Sequence, residues 1–256
     1  MLFCRVVLRT TDLDAASGFY GHVLGWSARR HSAGGVFFRQ PAGTALTPLP
    51  MAEFEPLPER ARSLGAPAHW LGLVAVPDVA TAVPHWTQAG FEARGPQRSS
   101  EHGAFQALRD PQGAALGLCP PVAAPVQSVA WCQLHVPAAE RAFSTYAERV
   151  GWHAGPVFDL GPPWGAYQTF CAEPSGPPLG AVLSNAETPQ VHAQWLFFFA
   201  VDDLGQALHR VRAAAGRLTF GPAALSDGRI VAVCEDAQGA AFALCAAATA
   251  QVPVGS

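Results

Sequence analysis

The sequence contains no lysine; all 16 of its basic residues are arginine. That absence excludes Schiff-base chemistry, a lysine general base and the lysine of a phosphate-binding P-loop. Charge is scarce altogether, at 14% of residues, and 16 basic against 19 acidic side chains leave a net charge of −3. So small a charge gives no electrostatic hold on nucleic acid or an anionic membrane, and no basic stripe is interleaved with aromatics. No apolar run approaches the ~20 residues of a membrane helix. The longest strong one is Trp195-Leu-Phe-Phe-Phe-Ala-Val201. The opening Met1-Leu-Phe-Cys-Arg-Val lacks the charged region and cleavage site of a signal peptide, so a cytoplasmic location is expected. Also missing are Gly-x-Gly-x-x-Gly after a strand, a Gly-x-Ser-x-Gly elbow, His-Glu-x-x-His and any Cys-x-x-Cys pair. The six cysteines (Cys4, Cys119, Cys132, Cys171, Cys234 and Cys245) therefore read as small buried hydrophobes rather than a disulfide framework.

What is present is a repeat. Half of the 256 residues are apolar, enough for one large or two ordinary domains with a sizeable core. Asp110-Pro-Gln-Gly-Ala-Ala-Leu-Gly-Leu-Cys119 recurs 126 residues later as Asp236-Ala-Gln-Gly-Ala-Ala-Phe-Ala-Leu-Cys245. Tyr20, Gly25 and Trp26 recur at the same spacing as Tyr146, Gly151 and Trp152, and Gly95-Pro96 as Gly221-Pro222. Trp70 and Asp78 recur as Trp195 and Asp203 with one residue slipped. Anchors in one order signal a tandem duplication. The halves run 1–119 and 127–247, joined by a Pro/Ala linker at 120–126 and followed by a tail at 248–256.

In the first half Phe3–Arg9 reads as a strand. Asp12–Val23 reads as a helix with Asp12 as N-cap, an apolar stripe of Leu13, Ala16, Phe19, Tyr20 and Val23, and Gly25 as the stop. Short strands follow at Trp26–His31, Gly35–Gln40 and Thr44–Leu49, and Met51–Pro67 reads as a connector. The same order recurs with a strand at Trp70–Val76, a helix at Val79–Ala89, and strands at Phe91–Arg94, Ala104–Arg109 and Ala114–Leu118. Each half is thus two βαβββ modules, at 1–50 and 67–119, then 127–186 and 192–247. The class is α+β with antiparallel or mixed sheets.

The opening Asp12-Leu-Asp-Ala-Ala-Ser-Gly-Phe-Tyr-Gly-His-Val-Leu-Gly-Trp26 and the Asp110-Pro-Gln-Gly113 hairpin resemble those of the vicinal oxygen chelate superfamily. That superfamily includes glyoxalase I, extradiol dioxygenases, fosfomycin-resistance enzymes and bleomycin-resistance proteins. Pro137–Trp152 keeps the opening more loosely. The resemblance implies that paired modules curl their sheets into open, barrel-like cups with ligand inside. Four modules imply two cups. In metal-using members it also implies a divalent ion on His, Glu or Gln side chains of the first and last strands of the modules.

Those positions fall here on Arg5 and Trp131, near Leu71 and Leu196, and on Gly117 and Ala243. The strands expected at Thr44–Leu49, Leu179–Leu183, Ala114–Leu118 and Ala240–Leu244 carry no His, Glu, Gln or Asp. A mononuclear site needs about three or four converging donors. The expectation is therefore no metal and no other cofactor. A divalent ion on a displaced set that uses His69 or His192 stays open.

Strand residues alternate faces, so the lining of each cup follows from those positions. Arg5 and Arg9 share a face in the first half, with His69 nearby. They either clamp an anion bidentately or pair with a local carboxylate. In the second half Trp131, Gln133 and His135 share a face, Phe198 lies on that of Leu196, and Tyr167 is on a neighbouring strand. The Gly/Pro-rich segment Asp159–Pro178 brings Trp164 to a rim. Rings mixed with a few polar groups resemble a small-molecule pocket, and core packing is the alternative. Trp26, Trp70, Trp152 and Trp195 read as core anchors, and His22, His85, His102 and His209 as solvated.

Two functions remain open. One is metal-free binding of a small, largely apolar organic molecule, with Arg5, Arg9, Trp131, Gln133, Trp164 and Phe198 as ligand contacts. The other is a metal-independent isomerase, lyase or cyclase that uses His69, or His135 with Tyr167, as catalytic groups. The partners expected are a small organic molecule and at most a second copy of the chain, with no nucleic acid and no membrane.

Overall fold

The computed structural model describes residues 3–31, 34–39, 49–100, 103–122, 128–225 and 228–247. His102 and the 248–256 tail lie outside the described residues, as do 123–126 of the linker.

The first module is β1 (Arg5–Thr10), α1 (Leu13–Leu24), β2 (Ser27–His31), β3 (Gly34–Arg39) and β4 (Leu49–Pro56). A short helix, α2 (Glu59–Ser63), leads to the second: β5 (His69–Ala75), α3 (Val79–Gln88), β6 (Glu92–Ala93), β7 (Arg98–Ser100), β8 (Gly103–Arg109) and β9 (Ala115–Cys119). The third is β10 (Val129–Val136), α4 (Ala139–Val150), β11 (His153–Asp159), β12 (Ala166–Cys171) and β13 (Pro178–Ser184). The fourth is β14 (Gln194–Ala200), α5 (Leu204–Ala213), β15 (Arg217–Ala224), β16 (Arg229–Glu235) and β17 (Ala241–Ala247).

Local chemistry sets these elements as the sequence predicts. The Asp12 carboxylate caps α1 by accepting from the backbone N–H of Asp14 and Ala15, and Gly25 ends the helix in the left-handed conformation at φ 68°. Asp78 and Asp203 cap α3 and α5 in the same way.

One expectation is corrected. The last strand of the first module was placed at 44–49, of which 44–48 lie outside the described residues. The observed strand is Leu49–Pro56, inside the stretch expected to be a connector. Its alternation explains it: Ala52 and Phe54 are fully buried, and the Phe54 ring lies 4.4 Å from Phe37, while Glu53 and Glu55 take the opposite face. This strand therefore does carry carboxylates, contrary to expectation.

The strands form two mixed sheets that are open paths rather than closed barrels. One runs β2-β3-β4-β1-β5-β9-β8-β6, with β7 on β8, and the other β11-β12-β13-β10-β14-β17-β16-β15. Within them β5 and β9, β10 and β13, and β14 and β17 are parallel pairs. All six cysteines are free thiols, and Cys4 Sγ lies 3.4 Å from Cys119 Sγ.

Contacts divide the chain into two interleaved compact units. One comprises 1–8, 70–127 and 131–197, so it joins most of the second and third modules; the other comprises 9–69, 128–130 and 198–256. The repeated motifs explain this division. In the first unit Tyr146 of α4 donates through its hydroxyl to Asp110 at 3.1 Å, and Trp195 Nε1 donates to that hydroxyl at 3.3 Å. The other Asp110 oxygen accepts from the backbone N–H of Gln112 and Ala114. In the second unit Tyr20 of α1 donates to Asp236 at 3.1 Å, and Asp236 accepts from Gln238 and Ala240. Burial raises the carboxyl pKa of both aspartates, against the hydrogen bonds that lower it. The duplicated Tyr and Asp therefore meet crosswise, each tyrosine with the hairpin of the other half.

The aromatic core of the first unit stacks Trp152 on Phe170 at 3.9 Å and on Tyr146 at 4.9 Å, with Trp195 edge-on to Tyr146 at 5.5 Å. Gly180 is needed beneath this stack, because a Cβ there would lie 2.4 Å from the Cys132 carbonyl oxygen and 2.5 Å from the Phe170 ring. In the second unit Tyr20 stacks on Trp26, and Phe242 meets Phe19 and Tyr20 edge-on.

Candidate functional site

β10 lies between β13 and β14, and the register decides which side chains share one of its faces. Gln133 lies opposite Ala181 and His135 opposite Leu183. On the other side of β13, Tyr167 also lies opposite Leu183 and Thr169 opposite Ala181. Trp131, Gln133, His135, Tyr167, Thr169, Ala181 and Leu183 therefore share the face away from the Trp152–Phe170 stack, all within one compact unit.

Three of these residues form a polar cluster. The indole Nε1 of Trp131 donates to the Tyr167 hydroxyl at 2.8 Å, and Gln133 Nε2 donates to the same oxygen at 2.7 Å. The Trp131 and Tyr167 rings are nearly parallel, with centroids 6.5 Å apart. Thr169 spends its hydroxyl on the Pro156 carbonyl at 2.6 Å.

His135 stands apart from that cluster. It is 7% exposed, and neither Nδ1 nor Nε2 has a hydrogen-bond partner. Tyr167 and His135 are thus on one face but not hydrogen-bonded to each other, with β13 between their strands. Burial alone pushes the imidazole pKa down to about 4, so the ring is neutral at pH 7. Its ring meets Trp164 edge to face, with centroids 6.0 Å apart. Trp164 belongs to the tight turn between β11 and β12, where the N–H groups of Trp164 and Gly165 both donate to the Gly161 carbonyl. Gly161 and Gly165 adopt φ of 68° and 61°, a conformation that suits glycine.

The remaining predicted residues are elsewhere. Phe198 is fully buried in the other unit, where it pairs with Ala243. Arg9, also in that unit, is 4% exposed and pairs with Glu55 at 2.7 Å. His69 bonds through Nδ1 to the Pro67 carbonyl at 2.9 Å, and burial, then the charge of Arg9, lowers its pKa. Arg5 is buried in β1. Sequence reasoning missed Glu53 and Glu55, although the apolar/acidic alternation of 51–55 was there to be read.

The ligand positions implied by the resemblance can now be tested for fit. Leu71 belongs to an apolar cluster with Val7, Leu73 and Cys119, against which Phe105 packs. The space above Gly117 is taken, since a Cβ there would meet Leu73 and Phe105 carbons at 2.6 Å. Glu55, the carboxylate that sequence reasoning missed, is bound to Arg9. Among the described residues no three His, Cys, Asp or Glu side chains converge. This donor set does not fit the family's divalent ion.

Comparison with known proteins agrees with the fold. Residues 5–119 match the family described as a glyoxalase-like domain, and residues 128–244 match the glyoxalase/bleomycin resistance protein/dioxygenase superfamily. A sequence relative in Mycobacterium bovis and Mycobacterium tuberculosis, CFP32, is provisionally named a glyoxylase. It is 28% identical over 254 residues, which covers 93% of this chain and 92% of the relative. Among solved structures, the 2,3-dioxygenase LapB of Pseudomonas sp. KL28 superposes with a TM-score of 0.59 at 13% identity, covering 98% of this chain and 94% of its own. Homoprotocatechuate 2,3-dioxygenase of Brevibacterium fuscum, in complex with 3,4-dihydroxyphenylacetate, gives 0.63 at 14%, covering 100% and 83%. At such identities the structural likeness shows the fold alone. The two domain matches, the four βαβββ modules and this shared fold together make the chain a two-domain member of the vicinal oxygen chelate superfamily.

Proposed function

We propose that the protein binds a small, largely apolar organic molecule on the aromatic face of β10, β12 and β13, without a metal ion, as a sequestering protein does. The observation that carries this reading is the buried His135 with two unpartnered ring nitrogens, walled by Trp164 and next to the Trp131–Gln133–Tyr167 cluster. A buried polar group left unsatisfied costs about 1–3 kcal/mol, and a ligand that supplies its partner removes that cost. Rings with a few fixed polar groups are the usual lining of small-molecule sites. The lack of a convergent donor set among the described residues supports binding without a metal. Among the described residues no helix is long and apolar enough to cross a membrane.

The test is a diverse-ligand screen of the full chain by thermal shift, with hits measured by calorimetry. Binders that raise Tm and lose affinity in His135→Leu support the proposal. A library in which nothing binds sinks it.

A second, enzymatic reading draws on the same residue and on the provisional naming of CFP32. A neutral imidazole accepts a proton from a bound substrate, and its low pKa makes it a weak base. Turnover of a ligand found in the screen, lost in His135→Gln with binding retained, would favour that reading over sequestration.

A further inference from the structure

The polar groups on the β10–β12–β13 face differ in what they have left to offer. Trp131 Nε1 and Gln133 Nε2 are committed to the Tyr167 oxygen, and the Thr169 hydroxyl to Pro156. His135 alone is nine-tenths buried with both nitrogens unpartnered. Other side chains that the register brings to this face are Ala181, Leu183 and the rings of Trp131 and Tyr167, and Trp164 packs against His135. None of these side chains carries a charge.

We infer that this site selects an uncharged ligand, one with a hydroxyl or amide that hydrogen-bonds to the His135 imidazole, and rejects carboxylates and ammonium ions of the same shape. The inference rests on the proposed binding function and deepens it. A neutral imidazole presents one donor and one acceptor, and so suits a group that can meet either. An ion brought to the same place would lose its hydration and find no opposite charge among these side chains. The burial that keeps the imidazole neutral also prevents it from becoming the counter-charge for an anion. Selection by charge would therefore come from the face itself.

Trp164 is the ring in contact with the His135 imidazole, edge to face with centroids 6.0 Å apart. The turn that carries Trp164 is short and has glycines on either side of the Pro162-Pro163-Trp164 tip. Trp164 fluorescence is thus a reporter placed at the site.

The test uses one ring system with five substituents: naphthalene, 2-naphthamide, 2-naphthalenemethanol, 2-naphthoate and 2-naphthylmethylammonium. Binding to the full chain is followed by tryptophan fluorescence and calorimetry, with wild type, Trp164→Phe and His135→Leu compared. The amide and alcohol are expected to bind at least tenfold tighter than naphthoate or the ammonium ion. His135→Leu should lose most of the preference for amide over naphthalene while still binding naphthalene. That variant exchanges an unsatisfied polar group for an apolar one and is expected to fold. Thermal melts of His135→Gln serve as a second check on folding. Naphthoate binding as tightly as the amide, or an amide preference unchanged in His135→Leu, overturns the inference and leaves the binding function standing. If none of the five binds wild type while the wider screen yields other ligands, the inference fails alone. If the wider screen is also empty, both fail.

Discussion

Acidification should destabilise this protein in a way that traces to one side chain. His135 is buried without a hydrogen-bond partner, and burial lowers its pKa from the ordinary 6.5 to about 4. In the unfolded chain the imidazole takes up a proton as pH falls through about 6.5, whereas in the folded chain it resists until about pH 4. Between those values the unfolded state binds more protons, so stability falls with falling pH. Above pH 6.5 both states are neutral and the residue contributes no pH dependence. At about 1.4 kcal/mol per unit of pKa difference, roughly 2 kcal/mol should be lost between pH 7 and pH 4.5. For a chain of this size that corresponds to a fall in Tm of about 4–8 °C. The comparison variant is His135→Gln, which has no titration in this range. Its Tm should fall by that much less than wild type over the same interval, by calorimetry at matched ionic strength. His69 shifts in the same direction as His135, while Asp110 and Asp236 are raised and gain stability on protonation. Those three titrate in both proteins and cancel in the difference. Parallel falls in wild type and variant would refute the argument, because His135 would then be protonated as easily folded as unfolded.

Two further predictions concern the packing that holds the site. Tyr146→Phe removes a donor to the buried Asp110 carboxylate and the acceptor of Trp195 Nε1, and should cost about 1–3 kcal/mol in urea unfolding; Tyr20→Phe removes the matching donor to Asp236 and should destabilise in the same direction. Gly180→Ala places a methyl 2.4 Å from a backbone oxygen and against Phe170. It should destabilise by about 1–3 kcal/mol, read as a lower denaturation midpoint, and an unchanged midpoint would mean that β10 and β13 separate more easily than their register suggests.

Much of the fold was legible in the chain because its signals are local or repeated. The cap at Asp12, the stop at Gly25 and the 126-residue recurrence of Tyr20–Trp26 and Asp110–Cys119 identify four modules before any coordinate is known. The face shared by Trp131, Gln133 and His135 follows from a two-residue period on one strand. The β4 strand was misplaced because the Gly/Pro punctuation around 44–50 competed with the weaker alternation of 51–55, which only packing of Ala52 and Phe54 resolves.

The order of residues along the chain therefore specifies the module, its repetition and the set of side chains on each strand face. Tertiary structure decided which of those side chains meet. Tyr146 finds Asp110 and Tyr20 finds Asp236, crossing between halves that the repeat alone would keep separate. Tyr167 takes the hydrogen bonds of Trp131 and Gln133 and leaves His135 with none, and Arg9 takes Glu55. The physical reason is range. Caps, turns and strand alternation are settled by neighbours a few residues apart, whereas partnership and desolvation depend on strands that are distant along the chain and brought into register by the sheet.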